Sequence, residues 1–370
     1  MTGVNEMNRF FKLSQEIYAN LADPLSRALF VARMQYNLTK SHKYLVDMVE
    51  LSPSFTGKDS ISKLFGERLR RINELDNARL IIYGAGWYCR YLLDLFFGKV
   101  DWHAVCDKDS NKHGTIFCNL PVISPEELMA NHKNDYVVIS SPLIYEEVYK
   151  ELEMSGFPVD QIIFEDLRPQ FNRGPQFQWD TKNQYFEAPI MTPQPNEVFI
   201  DAGCYDCETS LLFREWCGGN YDKIYAFEPD PTSFRNCQSI INQEQIHNIE
   251  LLNAGAWSCD DRLQFDARGD VGSLIDSGGA TSIHVRSIDS VLQGARATFI
   301  KMDIEGAELE ALRGARETII KHHPRLAVCV YHKLEDILEI QLYLQSLVPN
   351  YKFYLRHYSN NWTDTVLYAV

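Results

Sequence analysis

The chain has 370 residues, 45% of them hydrophobic and 12% aromatic, enough to bury one large core and more readily two. Its formal net charge of -14 at pH 7 weighs against a nucleic-acid binder, which needs a clustered basic surface to neutralise phosphates. No run approaches the ~20 apolar residues of a membrane helix, and the opening M-T-G-V-N-E-M-N-R-F-F lacks a signal-peptide core, so the expectation is a soluble, cytoplasmic protein with no membrane span.

Residues 1–77 read as a helical segment, with apolar residues at three and four spacings in F-F-K-L-S-Q-E-I-Y-A-N-L and again in L-S-R-A-L-F-V-A-R-M-Q-Y. Asp23 followed by Pro24 is the pattern of an N-cap and first helical position. The basic run Arg68-Leu69-Arg70-Arg71 falls in a helical pattern and reads as a solvated face. No chemistry shows here, and the segment is expected to pack on its neighbour or on another subunit, which leaves a homo-oligomer open.

Residues 78–167 change to an α/β pattern. R-L-I-I-Y-G-A-G-W-Y-C-R-Y-L-L-D-L-F is a strand, a glycine-rich turn and a helix; V-D-W-H-A-V-C-D-K-D, D-Y-V-V-I-S-S-P and Q-I-I-F supply further strands. This is a small Rossmann-like domain. Gly84 and Gly86 match the first two glycines of the dinucleotide fingerprint, and Asp107 lies about 20 residues on, where a ribose-binding acid belongs. Cys89 stands where the third glycine or alanine would be, and bulky Trp87 sits where backbone must approach a pyrophosphate. Two readings stay open: a bound nucleotide or nucleotide-sugar, or the bare fold. The segment resembles the N-terminal Rossmann modules of some sugar-modifying enzymes, a resemblance that implies a substrate-presenting role.

Residues 168–184 read as a linker, within a longer Pro-, Gln- and Asn-rich stretch reaching Asn196, and a second α/β domain spans 185–370. Its apolar strand E-V-F-I runs into Asp201-Ala202-Gly203, the way a doubly wound sheet builds a nucleoside-binding turn. K-I-Y-A-F closes on Glu228, whose carboxylate can accept both hydroxyls of a ribose. I-E-L-L-N-A-G-A-W ends a strand near Asn253, and A-T-F-I-K-M delivers Asp303 and Glu305 to the same sheet edge. The stretch from Asp260 to Val291, with Gly269, Gly272, Gly278 and Gly279, reads as a hairpin excursion; R-L-A-V-C-V-Y-H ends at His332, and a C-terminal antiparallel pair follows. Nine scattered cysteines do not form a disulfide framework, and the one C-x-x-C, Cys204 to Cys207, reads as two small side chains in a cofactor turn; the weaker alternative is a redox pair, or half of a zinc site that histidines elsewhere would have to complete, since no second C-x-x-C exists.

The order D-A-G-C-Y-D, A-F-E-P-D, N-A-G-A-W, F-I-K-M-D-I-E-G-A-E and V-Y-H-K-L-E-D resembles the FkbM family of S-adenosylmethionine-dependent methyltransferases over roughly residues 185–370. The most specific piece is I-K-M-D-I-E-G-A-E; the family's first motif usually carries a glycine where this chain has Cys207. The resemblance implies a seven-stranded methyltransferase sheet with S-adenosylmethionine as cofactor. In such a site Asp201 would organise the turn, Gly203 would give close backbone approach, Glu228 would bind the ribose, and Asn253 with Ala254 would border the adenine. Asp303, Glu305 and His332 form the expected catalytic cluster, with His332 the base taking an acceptor proton. A metal held by the acids is the weaker alternative, while Glu308 and Glu310 read as a helix's solvated face.

The expected activity is O-methylation of a hydroxyl on a sugar, glycan precursor or related natural product, with a small molecule or glycan as acceptor. Its rivals are an NAD(P)- or nucleotide-sugar-dependent enzyme using the Gly84 turn, or a binding protein without activity. Against the first, no Y-x-x-x-K pair follows that turn: Tyr145 is followed by Val148 and Tyr149.

Overall fold

The computed structural model describes residues 2–52, 61–76, 78–167, 183–266, 274–275, 281–359 and 361–370. Most of the predicted linker, residues 168–182, and Gly269, Gly272, Gly278 and Gly279 of the predicted excursion lie outside the described residues. The chain divides into two compact units, Met1–Val31 with Asp180–Val370, and Ala32–Trp179. The helical segment expected over 1–77 is therefore shared: the division falls inside helix Pro24–Thr39.

In the unit Ala32–Trp179, six strands form one sheet: β1 (Leu80–Tyr83), β2 (Trp102–Cys106), β3 (Ile116–Phe117), β4 (Leu120–Ile123), β5 (Tyr136–Ile139) and β6 (Ile162–Ile163). Their order is β3-β4-β2-β1-β5-β6, parallel except for the β3–β4 hairpin. That hairpin is absent from the sequence reading. Its two loop residues, Cys118 and Asn119, both hold positive φ (49° and 68°), the geometry of a primed turn, without the Asn-Gly or Asp-Gly pair that usually announces one. Leu80, Ile81 and Ile82 are fully buried, as a central parallel strand covered on both faces requires.

The other unit carries β7 (Glu197–Ala202), β8 (Tyr221–Phe227), β9 (Ile249–Leu252), β10 (Gly255–Ala256), β11 (Asp261–Asp266), β12 (Leu274–Ile275), β13 (Thr281–Arg286), β14 (Phe299–Met302), β15 (Arg325–Cys329), β16 (Phe353–His357) and β17 (Thr365–Ala369). Seven of them form a sheet in the order β16-β17-β15-β14-β7-β8-β9, parallel but for β17, which runs antiparallel to both β15 and β16. The predicted excursion is a small separate sheet, β10-β13-β11-β12, built on an antiparallel β11–β13 pair. β15 ends at Cys329, so Tyr331 and His332 belong to the following turn and not to the strand.

The order reverses between β7 and β14, where a doubly wound sheet opens a crevice at the carboxyl ends of its strands. Below it, Phe199, Phe213 and Phe299 pack at ring separations of 4.3 Å (Phe199–Phe213) and 4.9 Å (Phe199–Phe299), fully buried. The N-terminal residues of this unit dock on its far edge: Leu21 bridges to Phe353, and Asp23 pairs with Arg356 at 2.7 Å. Asp23 also caps helix Pro24–Thr39, its carboxylate accepting the Ser26 N–H at 2.7 Å, as Asp23-Pro24 foretold. Among the described residues, no helix is long and apolar enough to cross a membrane.

Candidate active site

After β7 the chain turns at Gly203, whose φ of +81° is a glycine conformation, and a side chain there would meet the Asp303 carbonyl oxygen at 2.1 Å. The turns after β7 and β14 therefore touch backbone to backbone. Tyr205 and Cys207 also hold positive φ (47° and 64°), so Cys207 occupies a conformation that a glycine adopts freely. Asp201 is completely buried, accepting the Ser210 hydroxyl at 2.7 Å and facing the Lys301 ammonium at 3.2 Å.

Glu228 follows β8 and is 6% exposed. Its two oxygens accept the N–H groups of Tyr205 at 2.9 Å and Asp230 at 2.8 Å, which aims the carboxylate at the Gly203 turn. Burial pushes its pKa up to about 7, only partly offset by those backbone donors, because among the described residues no cation pairs with it. Each oxygen keeps a lone pair for another donor. Asn253 donates its side-chain amide to the Glu228 carbonyl at 3.1 Å, and Ala254 is buried beside it. These two residues open onto a cleft of about 600 Å³ that Asp260, Arg262 and Arg286 also line.

The turn after β14 brings the catalytic candidates together. The Asp303 carboxylate accepts the hydroxyls of Tyr185 at 2.8 Å and Tyr331 at 3.0 Å. The His332 Nε2 lies 3.5 Å from Asp303 and 3.4 Å from Glu305, and its Nδ1 lies 2.8 Å from Glu308. Burial opposes the charged form of His332, but Glu305, Glu308 and Asp303 outweigh it and push its pKa up to about 11. Burial likewise opposes the Asp303 carboxylate, yet Lys301, His332 and the two tyrosine hydroxyls hold its pKa below the usual range. Asp303, Glu308 and His332 present ligand atoms within 4.8 Å of one another, the spacing of a cation site, and the cation that the chain itself sets there is the imidazolium. Glu305 is the most exposed of these acids, with 32% of its side chain open, on a backbone of φ 55°.

Glu308 corrects the sequence reading. It is fully buried, accepting the Ile304 N–H at 2.9 Å besides facing His332, because the helix Glu308–Arg313 starts inside the turn and points its first residue inward. Lys301, Tyr185 and Tyr331 were missed altogether. Lys301 lies on β14 with its ammonium 2.6 Å from the Gly203 carbonyl and over the Tyr185 ring at 5.3 Å. Burial would lower its pKa, but Asp201 and Asp303 raise it, so the charge persists in the core. A lysine inside the apolar run F-I-K-M was the available signal.

In the unit Ala32–Trp179 the glycine-rich turn is held by Asp107, which accepts the N–H groups of Ala85 at 2.6 Å and Asp109 at 2.8 Å. Lys112 reaches Asp107 at 3.1 Å and the Ala85 carbonyl at 3.1 Å.

Residues 201–353 match the family model for the methyltransferase FkbM domain, and residues 76–163 match C2185-like, N-terminal. No curated protein matches the chain. Among solved structures, it is similar to a methyltransferase FkbM from Methylobacillus flagellatus KT at 19% identity and a TM-score of 0.43, covering 94% of this chain and 99% of that one. An rRNA methylase from Streptococcus thermophilus follows at 14% identity and TM-score 0.33, covering 48% and 87%. Aeropyrum pernix fibrillarin with natively bound S-adenosyl-L-methionine stands at 10% identity and TM-score 0.33, covering 50% and 69%. Likeness at these scores identifies neither acceptor nor mechanism. The family model is the stronger finding: residues 201–353 are similar to the methyltransferase FkbM domain.

Proposed function

We propose that the chain is an S-adenosylmethionine-dependent O-methyltransferase whose acceptor is a hydroxyl of a sugar, glycan precursor or related natural product. The observation that carries this reading is Glu228, a buried carboxylate with no cation beside it among the described residues, aimed by Tyr205 and Asp230 at the bare backbone of Gly203. A ribose diol supplies the two donors such a carboxylate lacks. Asp201 and Lys301 fix the turn, while Asn253 and Ala254 border the adenine next to the cleft. The acidic edge of Asp303 and Glu305 suits a sulfonium cation.

Bound there, S-adenosylmethionine would supply a methyl group already activated by its sulfonium, so the chain has only to align the acceptor oxygen and take its proton. His332, expected as the base, is held as a cation by three acids and has no lone pair to offer at neutral pH. The base passes to Glu305, the acid most open to solvent, and His332 becomes the group that orients it. Asp303 is already engaged by two tyrosine hydroxyls and serves as a fixed anion. Trp362, 46% exposed with its ring 6.2 Å from Tyr331, offers a flat apolar surface to the C–H face of a sugar ring.

Glu305→Gln keeps the shape and removes the base. Its turnover with a hydroxyl acceptor should fall roughly 10²–10⁴-fold while S-adenosylhomocysteine binding is unchanged. Full turnover in that variant would remove Glu305 from the chemistry.

A further inference from the structure

Cys204 and Cys207 from the turn after β7 and Cys237 from helix Pro231–Gln243 bring their sulfurs within 4.8 Å of one another. All three are buried, none more than 2% exposed, in the apolar cluster under the sheet edge. The Cys204 and Cys237 sulfurs are 3.7 Å apart, and the Cys237 thiol donates to the Tyr205 carbonyl at 3.1 Å, which keeps it against the turn. Closing to the ~2.05 Å of a disulfide takes a shift of roughly 0.8 Å by each sulfur. A soft metal bound by three thiolates would leave net negative charge in this apolar setting, and among the described residues no cation pairs with the cluster; a disulfide is neutral.

We propose that Cys204 and Cys237 are an oxidisable thiol pair, closed to a disulfide by hydrogen peroxide directly beneath the Gly203 turn. In the first step the Cys237 sulfur attacks a peroxide oxygen, the O–O bond breaks, and the departing hydroxide takes a proton to become water. In the second, the Cys204 sulfur displaces hydroxide from the Cys237 sulfenic acid and its own proton completes a second water. The sulfurs lose two electrons and the peroxide gains them. The attacking sulfur is Cys237: as it attacks, its thiol gives the departing hydroxide the proton it shares with the Tyr205 carbonyl, and the Cys204 and Cys207 thiols, which lower its pKa, favour that loss. Because Cys204 follows Gly203 directly, the bond would draw on the turn and weaken cofactor binding; this consequence rests on the proposed function, while the cross-link itself does not.

The test treats the full-length native chain with hydrogen peroxide, alkylates the remaining thiols, and maps peptides by mass spectrometry without reduction. Exposed Cys118 and Cys259 report that oxidant was effective. A Cys204–Cys237 peptide pair, reversed by dithiothreitol, lost in Cys237→Ser and retained in Cys259→Ser, is the expected result. The proposal is overturned if Cys118 and Cys259 oxidise while Cys204 and Cys237 stay alkylatable only on unfolding. It is equally overturned if the pair forms solely in urea, if Cys204 links to Cys207 instead, or if the purified chain carries a stoichiometric soft metal. The wild-type measurements decide these outcomes even if the serine variant fails to fold.

Discussion

In both units the acid that ends the second strand of the nucleotide-type turn is held by two backbone N–H groups, one from the turn and one two residues on. Asp107 takes those of Ala85 and Asp109; Glu228 takes those of Tyr205 and Asp230. The difference is what else reaches the carboxylate. Burial opposes the charge on Asp107, but its backbone donors and the Lys112 ammonium hold its pKa below the usual range. Among the described residues Glu228 has no such ammonium, and burial pushes its pKa up to about 7. One turn therefore contains its own counter-charge; the other holds a carboxylate that a ligand's hydroxyls can complete. The same strand-turn-helix frame gives a closed structural turn or an open site depending on one nearby cation.

The sharpest break of this comparison is a paired substitution. Glu228→Ala should cost about 3–6 kcal/mol of S-adenosylhomocysteine binding, two charge-assisted hydrogen bonds at about 1.5–3 kcal/mol each, whereas Asp107→Ala should leave that affinity in place. Calorimetry giving equal losses for both would erase the distinction between the turns.

Acid titration tests the electrostatics without any ligand. A carboxyl whose folded pKa lies above its unfolded value binds protons better in the native state, so its contribution falls as pH rises from about 4.5 to about 7. Glu228→Gln should remove up to about 3 kcal/mol of that decline, a difference measured against wild type because Asp336 and Asp364 titrate in the same direction. Parallel stability curves for the two proteins would show that Glu228 does not titrate in this window.

Ligand-induced stabilisation compares the turns directly. At a hundredfold excess over Kd, S-adenosylhomocysteine should stabilise the protein by about 2.7 kcal/mol, and NAD(H) should leave the melting temperature where it was, since Lys112 already meets Asp107. A shift with NAD(H) would reopen the Ala32–Trp179 unit as a binding domain.

The sequence made the open turn readable because its signals are local: an apolar strand, a glycine, and an acid at the next strand's end, as in Asp201-Ala202-Gly203 and Glu228. The chain order also brings Asp303 and Glu305 to within 3.5 and 3.4 Å of His332. What escaped was set by contacts far apart in the chain. Lys301 finds Asp201 and the Gly203 carbonyl from another strand, and Tyr185 reaches Asp303 out of a proline-rich segment without periodicity. Glu308 looked solvated because helical spacing says which residues share a face, not whether the first turn is tucked under a neighbouring histidine. The His332 protonation state followed the same logic: three acids around one imidazole are visible only once the turns are folded.

Lys301 has a consequence for how the site responds to its solution. Its ammonium and the Asp201 carboxylate are 3% and 0% exposed, whereas the Lys112 and Asp107 side chains are 39% and 12% exposed. Mobile ions screen charges they can approach, within about 10 Å at 0.1 M salt, and reach buried pairs poorly. The brace under Gly203 is thus insulated from ionic strength, so the methyltransferase turn keeps its shape in brine and in dilute buffer alike, while the grip of Lys112 on Asp107 loosens as salt is added.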